Sequence, residues 1–223
     1  MNFYGLFVIA TAFTLCSTHT VETYNNLTIL NKPQAITSRP DLPKIYVVND
    51  DSSLAVLDID QGKISKGFKI TNDLLGDTFL KKPIDLALDD VKKKLYVLNK
   101  ENQLTIFNLD PCGDLLLNPK ILRNREILLP NQDIFKNPKS IIFNKMSNFL
   151  CILNTSFVSI LEQNQHGDIL NIRTVINPLH SMLTSIPFSD KFYMAVKGDS
   201  LHITTTDNID TLTNQQMIPY LNQ

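Results

Sequence analysis

The sequence predicts an all-β fold, on three observations. A strand-length apolar run recurs along the 223 residues, as "IYVVN" (45–49), "LYVLN" (95–99), "LCILN" (150–154) and more loosely "FYMAV" (192–196). A second apolar run follows each of these after a few polar residues, and a turn then closes the pair. Eleven prolines, from Pro33 to Pro219, interrupt the chain too often for helical periodicity to develop.

The anchor runs set the period. Tyr46, Tyr96, Cys151 and Tyr193 occupy the same place in successive runs, 50, 55 and 42 residues apart. Asn49, Asn99 and Asn154 stand three residues after the first three anchors, where a strand gives way to a turn. Asn tolerates left-handed backbone, which predicts that these residues shape the turn. The partner runs, "SLAVLDI" (53–59), "QLTIFNL" (103–109), "FVSILEQ" (157–163) and "SLHITTT" (200–206), are rich in β-branched and apolar residues. Each pair therefore reads as a hairpin. Its closing turn carries Gly62, Gly113 or Gly167, and Asn208 in the fourth unit, residue types suited to positive φ.

Two further strands complete the unit. Pro83 and Pro138 lie 13 residues before their anchors and Pro178 slightly earlier before its own; proline starts a strand but cannot sit in its middle. After the glycine turns, "KGFKIT", "KILRNREIL" and "DILNIRTVI" supply a fourth strand. The anchor strands are apolar on both parities, as expected of strands covered on both faces. Four antiparallel strands repeated about every 50 residues are the signature of β-propeller blades. The prediction is a β-propeller-like array of about four four-stranded antiparallel blades, closed or incomplete. "ITNDLLGDTFLKK" is either a short helix or a long loop between blades.

The ends and the composition bear on compartment and partner. "NFYGLFVIATAFTL" is uncharged, apolar and shorter than a membrane span, and precedes the small and polar "CSTHT". The expected organisation is a signal peptide over 1–18 and one propeller-like domain over 19–223, secreted or periplasmic and not membrane-spanning. A net charge of −1 offers no basic field for nucleic acid. Export would permit one disulfide between Cys112 and Cys151, although a turn cysteine beside a buried thiol is the favoured reading. Asn26 and Asn154 head glycosylation sequons.

A Pro-initiated strand, then "lYVlN", then an apolar strand ending in Asp, then an Asp/Gly turn resembles the repeat of YVTN-type β-propellers, related in pattern to NHL and lactonase-like propellers. The resemblance covers residues 33–212, and the fourth unit departs most. It implies six or seven blades where this chain holds about four. The chain then either closes as a four-bladed ring, or is an arc needing a partner and prone to self-association, or is a truncated relative.

Lactonase-like kinship would place acidic, basic and histidine groups at the mouth of the central channel. The weak catalytic candidates are Asp85, Lys145 and His180, with Asp89, Asp90, Asn144 and Ser181 nearby. The bland reading makes Asp89 and Asp90 an acidic turn and His180 a loop residue. His166, His180 and His202 lack metal-ligand spacing. "DIDQG" (58–62) begins like a calcium loop but has Lys69 where the last acidic ligand belongs, so a hairpin turn explains it better. No phosphate loop or nucleophile elbow occurs, and no cofactor is indicated. The expected function is binding of a protein or glycan, with a lactonase-like hydrolase as the alternative.

Overall fold

The computed structural model describes residues 29–39, 42–75, 78–124, 134–176, 180–185, 191–196, 200–205 and 217–219, with side chains through residue 174 apart from 173. The expected signal peptide and Asn26 lie outside the described residues, as do Pro178 and Asn208.

Among the described residues sixteen strands form four antiparallel sheets of four. Blade one contains β1 (Pro33–Ser38), β2 (Lys44–Asn49), β3 (Ser53–Asp60) and β4 (Lys63–Ile70) in that spatial order. A single helical turn, α1 (Asn72–Leu75), lies in the connection to blade two. Blade two contains β5 (Pro83–Asp89), β6 (Lys94–Asn99), β7 (Gln103–Asn108) and β8 (Lys120–Arg123). Blade three contains β9 (Ser140–Asn144), β10 (Phe149–Leu153), β11 (Phe157–Gln163) and β12 (Ile169–Ile176). Blade four contains β13 (His180–Ser185), β14 (Lys191–Val196), β15 (Ser200–Thr205) and β16 (Met217–Pro219). β16 is the outer strand of blade four and pairs with β15.

The register confirms the repeat residue by residue. Tyr46 pairs with Val56, Tyr96 with Ile106, Cys151 with Ile160 and Tyr193 with Ile203. The first strands stand side by side, β1 against β5, β5 against β9 and β9 against β13. Among the described strands no comparable contact returns from β13 to β1. The four blades thus form an arc with the first strands innermost.

Apolar residues on both faces of the middle strands fill the seams between blades. Tyr46, Val48 and Val56 of blade one meet Leu86, Leu95, Val97 and Phe107 of blade two. Tyr96, Leu98 and Ile106 of blade two meet Ile141, Leu150, Ile152 and Leu161 of blade three. Burial on both sides of one sheet explains why the β2-type strands carry continuous apolar runs.

The recurring Asn does something other than shape a turn. Positive φ falls instead on Ser52 and Asn102 in the hairpin loops, and on Lys32, Lys82 and Asn137, each just before a proline. Asn49, Asn99 and Asn154 are wholly buried. Each side-chain oxygen accepts the backbone N–H of the segment leading into its own blade: Asn31 N at 3.1 Å, Lys81 N at 2.8 Å and Lys136 N at 2.9 Å. Each side-chain amide donates to a hydroxyl on the next strand: Ser53 at 2.9 Å, Thr105 at 3.0 Å and Ser159 at 3.1 Å. The Asn is a clasp that ties the entry of each blade to its middle hairpin. Because that clasp occupies Asn154 in the interior, its sequon is closed to glycosylation in the folded chain.

"DIDQG" is a hairpin turn, with Gln61 and Gly62 both at positive φ between β3 and β4. Cys112 is exposed in a turn and Cys151 is buried in β10; they are not bridged to each other.

Candidate functional site

Function in such an arc is placed by the inner strands and the turns at their ends. A cavity of about 190 Å³ lies along them, lined by Thr37 of β1, Leu86–Leu88 of β5 and Ile141–Phe143 of β9. Apart from Thr37, every lining side chain is apolar. Phe143 stacks on Tyr96 with ring centres 6.5 Å apart, and the Lys92 ammonium lies 5.5 Å from the Phe143 centroid.

Asp85 sits at the entry end of β5. Its carboxylate accepts the N–H of Ile141 in the neighbouring blade at 2.8 Å and that of Leu86 at 2.9 Å. Burial pushes its pKa above the ordinary carboxyl range, only partly offset by these bonds and one from the Ser140 hydroxyl. Asp85 therefore staples two inner strands together.

Lys145 lies beyond the other end of β9. It is four residues on from Ile141, about 13 Å at 3.3 Å per residue. Its ammonium bonds Asp90 at 3.0 Å, joining the β9–β10 turn to the β5–β6 turn. His180 is the first residue of β13, in register with Val196, at the entry end; its side chain lies outside the described residues, as does that of Ser181. The chain thus sets Asp85 and Lys145 at opposite ends of the inner strands, each committed to a contact between blades. Among the described residues no group of three His, Cys, Asp or Glu could hold a metal ion.

The rim at the Lys145 end is built from equivalent turns. Asp89 and Asn144 are both buried and cap them: Asp89 accepts Val91 N at 3.1 Å and Lys92 N at 2.9 Å, Asn144 accepts Met146 N at 3.0 Å and Ser147 N at 3.2 Å. The caps hold the turn tips outward, and the tips are apolar. Val91 is 63% exposed and Met146 61% exposed, each following one partner of the Lys145–Asp90 bridge in the chain. Sequence reasoning recognised the acidic turn but missed these tips; the signal was an apolar residue at the same offset after Asp89 and after Asn144.

A latch farther out joins blade one to blade two, and a partial one joins blade two to blade three. The Tyr46 hydroxyl donates to Gly113 O at 2.7 Å, and Lys44 reaches Asp58 of its own blade at 2.5 Å and Asp114 of blade two at 2.7 Å. Burial lowers the pKa of Lys44, but the two carboxylates outweigh it and the net shift is upward. In the next seam Gln163 donates to the Tyr96 hydroxyl at 2.9 Å and Lys94 donates to Gly167 O at 3.2 Å. Blade three has Phe149 and Cys151 where the others carry Lys and Tyr.

No family model matches the sequence, and no curated protein is similar to it in sequence. Solved structures are similar in fold. U3-55K superimposes with a TM-score of 0.58 at 12% identity, over 85% of this chain and 52% of that one. A functionally unknown protein from Desulfotomaculum acetoxidans DSM 771 gives 0.57 at 13% identity, over 79% and 55%. The WD40 β-propeller domain of Doa1 gives 0.50 at 14% identity, over 79% and 52%. The chain has a β-propeller fold and spans about half the length of the propellers it matches.

Proposed function

We propose that this chain is a β-propeller interaction module of YVTN type that is exported and holds a protein partner on its rim. The observation that carries the reading is the pair of exposed apolar tips, Val91 and Met146, at equivalent positions on adjacent blades beside the Lys145–Asp90 bridge. Exposed side chains that a rigid scaffold presents together suit a binding surface, and methionine adapts to the partner's shape. Export rests on the uncharged apolar segment 2–15 and predicts a mature N-terminus near Thr18, read by N-terminal sequencing.

The test is site-specific photo-crosslinking in the native host. A benzoylphenylalanine at position 91 and one at position 146 are expected to capture the same protein. One at Leu74, exposed in α1 at the entry end, is the control. Capture from position 74 alone, or a glycan eluting as the bound species, would overturn the reading.

A further inference from the structure

Each described seam has a giving and a receiving side. The giving blade supplies Lys44 and Tyr46, or Lys94 and Tyr96; the receiving blade supplies its β3–β4-type turn. A methyl group added to Gly113 would lie 2.9 Å from Tyr46 Oη and 3.0 Å from Lys44 Cδ, and one on Gly167 would lie 2.9 Å from Lys94 Cδ. Both receiving turns are gripped. The equivalent turn of blade one is not: a methyl group on Gly62 would meet nothing within 4 Å among the described residues.

The apolar face beside that turn is also incompletely covered. At its centre Val47, Ala55 and Leu57 are buried, and Ile29, Leu30 and Ile45 form its margin. Leu30 and Ile45 are only half-buried. Their counterparts Leu80 and Leu95 in blade two, and Phe135 and Leu150 in blade three, are 1% exposed or less. Blade one thus has the receiving half of a seam.

The giving half is written in blade four. Lys191, Phe192 and Tyr193 stand on β14 at the register of Lys44, Ile45 and Tyr46. Within one chain the two halves are apart, since β13 makes no contact with β1 comparable to those between neighbouring inner strands. The arc also aligns with only 52–55% of the solved chains it matches. We infer that blade four of one copy docks on blade one of a second copy, head to tail, so that two arcs close one ring of eight blades. The repeat supports this occupant, since the Lys and Tyr of the giving side recur at Lys191 and Tyr193. In the turn of blade one Lys63 stands where Asp114 and Asp168 stand in the others, and the acid of that turn is Asp60. The inference is independent of what the rim binds.

Sedimentation velocity of the full chain from 1 to 100 µM tests it. A dimer is expected, with its dissociation constant raised at least tenfold by Asp60→Lys, in an exposed turn, and by the conservative Tyr193→Phe. Circular dichroism of both variants would match the parent. A monomer throughout the range would overturn the inference, whether its own blade four or another protein covers blade one. So would a dimer that both substitutions leave unchanged.

Discussion

The hydroxyl of Tyr46 in blade one donates to the backbone oxygen of Gly113 in blade two, 67 residues away, at 2.7 Å. Burial first, with Asp114 and Asp110 adding to it against Arg39 and Lys44, pushes this phenol up to about 12. Its folded value exceeds the unfolded one, so its contribution to stability is whole below pH 10 and is lost as pH rises toward 12. Absorbance at 295 nm is expected to show Tyr46 ionising later than an ordinary tyrosine. Tyr46→Phe should cost about 1 kcal/mol at neutral pH, measured by urea unfolding, and should flatten the alkaline loss. An unchanged alkaline limb would refute the assignment.

The Asn clasp makes a larger demand. Asn154→Ala removes the acceptor of the part-buried Lys136 N–H and one of the two partners of Ser159, so it is expected to destabilise by about 2–3 kcal/mol. Ser156→Ala, exposed in the adjacent loop, should change stability by less than about 0.5 kcal/mol. Equal effects from the two substitutions would count against the clasp.

The buried carboxyl of Asp85 has the opposite pH signature from a paired surface acid. Its raised folded value favours the protonated form, so its contribution is greatest below the unfolded value and falls as pH rises through the folded one. Denaturation midpoints of the parent relative to Asp85→Asn are therefore expected to decline between about pH 4 and neutrality. A difference that stays constant with pH would contradict this.

The two thiols should separate kinetically. In a Cys16→Ser background, an aromatic disulfide reagent is expected to label Cys112 at once and Cys151 only with unfolding. Two fast thiols would show that β10 is not in the seam.

Most of the fold was legible because its marks are local. Glycines at positive φ, prolines ahead of inner strands and apolar runs of strand length each follow from a residue's own backbone preference or from the pleat. The Asn clasp was visible as a recurrence but misread, since its partners Lys81 and Lys136 lie 18 residues away in the chain. The latch was hidden for the same reason: nothing near Tyr46 announces Gly113. The candidates Asp85 and Lys145 were placed near the channel by their strands, but period alone does not say which end of a strand a residue occupies. The rim tips escaped because an exposed Val or Met is ordinary taken singly.

The substitution of Cys151 and Phe149 for tyrosine and lysine bears on mechanics. Seams one–two and two–three are each bolted by polar contacts at their outer edge, whereas blade three brings a ring and a thiol to the same positions. Pulled at its two ends, the arc should keep blades one to three together as a unit about the size of a small domain.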